Sequence, residues 1–242
     1  MLVNSGSTPP TAGLSPHKGC GASRKASREL TMGHRALIAY ERPDGQYNLH
    51  YTHRGARNLQ LKHSITRATP FGEYTRENEW THRAYEFLQT ASDDSIPAPE
   101  THESRTPTRV RVEPRAVDVT LETIRREYVD YLTHEAFYVV NHEDGQLVVT
   151  AYRVFWFGLE DVATTATRAP MIGYGALRTV TWRDGERVND EYVRGEFDAL
   201  KAIIGDFLDR GVFASEGEAL AYLERVFREW SSDADLDVVL NQ

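Results

Sequence analysis

The chain has 242 residues, 40% of them hydrophobic and 26% charged, enough to bury one sizeable core or two small ones. Its longest apolar run, Val154–Leu159, is far too short to cross a bilayer, and residues 1–20 lack the hydrophobic stretch of a secretory signal, so the reading is a soluble cytoplasmic protein with no membrane partner. The net charge of −8 is uneven: residues 1–67 carry ten Lys/Arg against three Asp/Glu, residues 84–242 sixteen against thirty.

Residues 1–31 are rich in Ser, Gly, Pro and Thr without a hydrophobic period, and read as a disordered extension. Cys20, the only cysteine, cannot form an internal disulfide. The pattern begins at Met32, which makes it a candidate translation start. From there to residue 230 the chain reads as one domain.

The next signal is a recurring Asp-Gly turn between β-rich flanks, at Arg42–Gln46, His142–Gln146 and Trp182–Glu186. Pro43 fits position i+1 of a type I turn followed by a left-handed glycine. The same three-residue loop is therefore expected in each: Pro43-Asp44-Gly45, Glu143-Asp144-Gly145 and Arg183-Asp184-Gly185. This sets the registers. In the first hairpin Glu41 faces Tyr47, Ala39 faces Leu49 and Leu37 faces Tyr51, giving a mainly apolar face. Tyr40, Asn48, Ile38, His50, Ala36 and Thr52 make the other. In the second, Val140 faces Val148 and Glu135 faces Arg153. In the third, Val180 faces Val188 and Arg178 faces Asp190.

Helical periodicity separates the hairpins. Trp80, Ala84, Phe87 and Leu88 mark a helix within 75–90. Leu121, Ile124, Tyr128 and Tyr131 mark one within 120–133. Phe197, Leu200, Ile204, Phe207 and Leu208 mark a third, stopped by Gly211. Ser215 and Glu218 have capping-box spacing and open a fourth, with a stripe of Leu220, Leu223, Phe227 and Trp230. Residues 91–109, with Pro97, Pro99 and Pro107, read as a linker or long loop, and 231–242 as an acidic tail. The expected fold is α+β: an antiparallel sheet built from three Asp-Gly β-hairpins, covered on one face by about four helices including a C-terminal helical hairpin.

Motifs for chemistry are sparse. His34, His50, His53 and His63 fall within thirty residues, but His50 and His53 have an odd separation and so point to opposite faces of a strand. The local charge is positive, so no metal and no cofactor is expected. No nucleophile elbow, zincin motif, phosphate loop or dinucleotide fingerprint is present, and Gly173-Tyr174-Gly175 reads as a structural connection. What remains is the zone from His34 to Asn58. Arg35, Arg42, Arg54 and Arg57 punctuate it, with Tyr40, Tyr47 and Tyr51 between them, a pattern suited to phosphate contacts and stacking. The candidate ligand-binding residues are His34, Arg35, Tyr40, Asn48, His50, His53, Arg54, Arg57 and Asn58. Arg54 and Arg57 would hold an anionic group, and Asn58 and His50 would orient it. The expectation is a non-enzymatic binding or accessory protein for an anionic ligand or nucleic acid. Its alternatives are a hydrolase or nuclease with His50 or His53 as general base beside Arg57, and an assembly protein using the hairpin edge. The sequence specifies neither partner nor oligomeric state.

The run 32–72 resembles the opening of a family of uncharacterised haloarchaeal proteins. The likeness rests on Met32-Gly33-His34-Arg35, an apolar strand, the Asp44-Gly45 turn and Tyr47-Asn48-Leu49-His50-Tyr51. More remotely, it is similar to small phage-associated proteins whose second strand continues Cys-His-Trp-Asp-Gly, where this chain has Tyr51-Thr52-His53-Arg54-Gly55. The haloarchaeal likeness implies a start at Met32 and a salt-rich cytoplasm, and it brings no catalytic residue.

Overall fold

A computed structural model describes residues 33–74, 79–93, 95, 108–188, 190–230 and 236–239. The extension 1–31 and most of the proline-rich and C-terminal stretches lie outside these residues.

The fold is mixed α+β. Two short runs, Ala36–Glu41 (β1) and Ala136–Glu143 (β4), are apolar at nearly every position of their first five residues, the pattern of strands buried on both faces. They lie side by side and parallel at the centre of the main sheet, with Leu37 opposite Phe137 and Ala39 opposite Val139. Antiparallel neighbours extend it each way. Tyr47–Thr52 (β2) and then Ala116–Val119 (β3) flank β1. Gln146–Trp156 (β5), Gly175–Thr179 (β6) and Leu236–Val239 (β9) flank β4, giving the order β3-β2-β1-β4-β5-β6-β9.

This corrects the expected three-hairpin sheet. The third Asp-Gly turn joins Thr181–Arg183 (β7) to Glu186–Val188 (β8), a separate two-stranded ribbon, whose Trp182 ring meets His63 edge-on at 4.9 Å. The loops differ too. In the first hairpin Arg42 N–H donates to Gln46 O and Gly45 has φ 79°, so the loop is Pro43-Asp44-Gly45 and Glu41 faces Tyr47. In the other two, Glu143 pairs with Gln146 and Arg183 with Glu186, so each loop has two residues. Asp144, Gly145, Asp184 and Gly185 all have positive φ, as a type I′ turn requires. Pro43 has no N–H to donate to Gln46 in the flanking pair that a two-residue loop requires, which forces the longer loop; Glu143 and Arg183 have that donor and impose no such bar. Val140 therefore faces Val149, and Arg153 faces Ala136 rather than Glu135. Arg178 belongs to β6 and donates to Trp230 O instead of facing Asp190.

Helices cover both faces of the sheet, not one. Odd-numbered Leu37, Ala39, Leu49, Phe137 and Val139 pack toward Asp190–Asp209 and Glu216–Glu229, through Phe197, Ile204, Leu223 and Phe227. Phe155, Phe157, Phe197 and Phe227 form a ring cluster with centroids 4.9–5.9 Å apart. Even-numbered Ala36, Ile38, Tyr40, Ala136, Tyr138 and Val140 pack toward Glu79–Leu88, through Trp80, Ala84 and Leu88, and toward Phe71, Val110 and Val112. In chain order the helices are Leu61–Ser64 (α1), Glu79–Leu88 (α2), Leu121–Thr123 (α3), Asp190–Asp209 (α4) and Glu216–Glu229 (α5). Ser215 Oγ caps α5 by accepting from Glu218 N–H. The helix expected over 120–133 is cut short: α3 widens into one π-turn, Ile124–Tyr128, and stops. Asp130 is the cause, its Oδ1 accepting from Leu132 and Thr133 N–H and so offering those donors an alternative to a continued helix.

Candidate anion-binding site

The site begins with a bent segment, 108–115, that starts at the end of the stretch 91–109 read as a linker and runs beyond it. Its residues alternate: Val110, Val112 and Pro114 are buried, while Arg111, Glu113 and Arg115 are exposed. Alternation of this kind lays one side of a segment on a core and the other in water. The segment is stitched to β2. Arg111 N–H donates to Tyr51 O at 3.0 Å and Arg115 N–H to Leu49 O at 2.6 Å. Thr52 Oγ1 donates to Arg109 O at 2.6 Å, and His50 Nδ1–H to Arg111 O at 2.9 Å.

These bonds hang two arginine side chains over one ring. The Arg111 and Arg115 guanidinium carbons lie 5.1 and 4.5 Å from the Tyr51 centroid, within cation–π range. The Tyr51 hydroxyl shares a hydrogen bond with His53 Nδ1 at 3.1 Å. Tyr51 is opposite Leu37, and Arg35, two residues before Leu37, joins the cluster: its Nε is buried without a hydrogen-bond partner. His134, its ring 6.4 Å from that of Tyr51, accepts from Asp130 N–H at Nδ1. Burial pushes its pKa down to about 4; Asp130 opposes this, and the charges of Arg115 and Arg35 add to it. The imidazole is therefore neutral at pH 7. His34 Nδ1 and Glu135 Oε2 are 3.0 Å apart. Among the described residues no carboxylate pairs with Arg35, Arg111 or Arg115, so two guanidiniums lie over one aromatic ring, with Arg35 acting on the neighbouring His134, and their charge is uncompensated by direct contact. Gly33 closes one side, where a Cβ would fall 2.4 Å from His53 Nε2.

The nine residues anticipated from sequence divide into three groups. Arg35 and His53 belong to this cluster, while His34 pairs with Glu135. Arg54, Arg57 and Asn58 are exposed on the loop after β2, where Asn58 and Leu59 both take left-handed backbone (φ 53° and 51°). Tyr40, Asn48 and His50 do not project outward. They are buried under α2, with Tyr40 OH donating to Pro70 O at 2.6 Å and Asn48 Nδ2 to Leu88 O at 2.6 Å. His50 is 1% exposed and burial drives its pKa down to about 4. Their polarity suggested a wet face, but each side chain donates to a backbone carbonyl inside, and Asn48 Oδ1 accepts from Arg42 Nη1. Arg42 is likewise spoken for, pairing with Asp44 and donating to Ala91 O. Sequence reasoning missed Arg111, Arg115, His134 and Glu135, and named Tyr51 in the arginine–tyrosine pattern without placing it among the candidate ligand-binding residues. The signal for the arginines was the alternation Arg109-Val110-Arg111-Val112. Among the described residues no group of three His, Cys, Asp or Glu is placed to hold a metal ion.

A family model matches residues 32–239 of the chain. The chain belongs to DUF6735, a family of unknown function. The match covers every strand and helix described for this DUF6735 chain and begins at Met32, next to Gly33 of the cluster. No curated protein and no solved structure matches it. Among its described residues no helix is long and apolar enough to cross a membrane.

Proposed function

We propose that this chain is a non-enzymatic binding protein whose Arg35–Arg111–Arg115 cluster holds a phosphate-bearing anion. The observation that carries this is the pair of guanidiniums over Tyr51 with no carboxylate partner, beside an Arg35 whose Nε is buried without one. Guanidinium forks suit phosphate oxygens, and charge-assisted bonds of this kind are the strong ones. The ring and the backbone stitching hold the forks in place before a ligand arrives, which limits the entropy lost on binding. In the salt-rich cytoplasm that the haloarchaeal resemblance implies, the Debye length shrinks to ~3 Å at 1 M salt, so a site there must work by contact, as this arrangement does.

Calorimetry with pyrophosphate tests the reading. Wild-type protein should bind it, Arg111→Ala/Arg115→Ala should weaken binding at least about tenfold, as loss of a buried or shared charged contact does, and Arg54→Ala/Arg57→Ala should change it little. Equal affinity in the Arg111/Arg115 variant would overturn the assignment.

A second reading, a hydrolase or nuclease, draws on the His34–Glu135 pair, since a carboxylate-held imidazole is the usual form of a general base. It moves that role from His50, which is sealed in the core, and from His53, which is tied to Tyr51. Turnover of a phosphodiester that disappears in His34→Gln would favour it over simple binding.

A further inference from the structure

We propose that the anion taken by this surface is single-stranded nucleic acid, with its phosphates along Arg111 and Arg115 and one base stacked on Tyr74. This rests on the anion-binding reading above and extends it along the same segment. Tyr74 is the third most exposed of the large hydrophobic side chains described, at 59%, although it is aromatic and lies next to a tightly packed core. It is not loose. Glu73 bridges to Thr108, and Arg109 N–H donates to Gly72 O, so the two residues just before Tyr74 are paired with the start of the arginine segment. The Arg109 guanidinium lies 4.2 Å from the ring centroid, and its Nη1 donates to Gln60 Oε1 at 3.1 Å. One face of the ring is therefore backed by a fixed cation and the ring remains largely open to solvent.

A positioned aromatic with an open face, followed along one segment by arginines, is the arrangement that tracks an unpaired strand. Arg109 to Arg115 spans at most about 20 Å at ~3.3 Å per residue, the reach of a few nucleotides. A duplex hides the faces of its bases and cannot use Tyr74 in this way. Glu113 interrupts the arginines and also acts on His50, favouring its charged form; a phosphate passing it is repelled. The acidic remainder of the chain repels the strand elsewhere, which confines it to this path.

The test is fluorescence anisotropy with short oligothymidylate and oligouridylate, run beside pyrophosphate calorimetry on the full chain. The expected result is binding of at least one single strand in preference to the corresponding duplex, weakened at least about fivefold by Tyr74→Ala and retained in Tyr74→Phe, with Glu113→Gln tightening it. Pyrophosphate affinity should not change in Tyr74→Ala, which also shows that the variant is folded. If pyrophosphate binds through Arg111 and Arg115 but the oligonucleotides do not bind, ignore Tyr74→Ala, or bind no better than duplex, the nucleic-acid inference is overturned and the anion site stands. If neither pyrophosphate nor oligonucleotide binds, both are overturned. A preference between the two strands decides whether the 2′-hydroxyl is read.

Discussion

His50 and His134 show how burial decides what a titratable side chain does. Both were drawn from water into the fold, both have pKa values pushed down to about 4 from the usual 6.5, and burial is the leading cause in each. The unfolded chain takes up these protons near pH 6.5, whereas the folded chain resists until about pH 4. Stability is thus greatest above pH 6.5 and falls as the pH drops toward 4, by on the order of 3 kcal/mol per histidine at full extent. Urea midpoints measured across this range should fall with acidity, and the fall should be shallower in His134→Asn, which keeps an acceptor for Asp130 N–H. Parallel profiles for the two proteins would show that His134 is not held neutral. His50 carries a further consequence: its Nδ1–H bond to Arg111 O sets the segment that carries the guanidinium, so the polar residue expected to touch ligand supports, from within, the residue that does.

At the level of elements, turn chemistry was legible only where one residue excluded the alternatives. Pro43 did so, and the β1–β2 pairing follows from it. Glu143 and Arg183 left both loop lengths open, and the two-residue turn won because Asp and Gly each accept left-handed backbone at modest cost. Gly185 sits at φ 80° with open space around the position of a Cβ, so Gly185→Ala should cost about 1 kcal/mol by backbone conformation alone, read from the thermal midpoint. Asp184→Gly should be near neutral. A different rule governs the start of α4. Arg153 donates to Asp190 through Nε and Nη2 at 2.8 and 2.7 Å, both side chains being buried, and Arg187 adds a third contact at 2.9 Å. Burial works against the Asp190 carboxylate, but Arg153, with Arg187 and Arg194, holds its pKa below the ordinary value. Arg153→Met should therefore cost roughly 3–5 kcal/mol, and Arg153→Met/Asp190→Leu considerably less, because the single change strands a buried charge. Denaturant titration of the two variants checks this ordering.

Across the whole molecule, the class of fold and the helices α2, α4 and α5 could be read from apolar spacing, while the layer arrangement could not. The first hairpin carries Tyr40, Asn48 and His50 on one side. That side looked wet because sequence shows a residue's polarity but not the carbonyls of Leu88, Pro70 and Arg111 that satisfy it. The two-sided core follows once α2 is seen lying on that face. Phe227 joins the ring cluster on the opposite side, and Phe227→Ala should destabilise the protein by about 3–5 kcal/mol, measured by urea unfolding. The arginine segment escaped notice for a related reason: Pro97, Pro99 and Pro107 gave the preceding stretch the look of a linker, and the alternation that follows is only a few residues long. Yet that segment is bonded to β2 and brings Arg111 and Arg115 over Tyr51, beside His134, on which Arg35 also acts from far away in the chain. The most direct test of that convergence is an amide and arginine side-chain NMR titration with pyrophosphate. Shifts confined to Arg35, Tyr51, His53, Arg111, Arg115 and His134 are the predicted result; shifts centred on Arg54 and Arg57, or saturable nowhere, would contradict it.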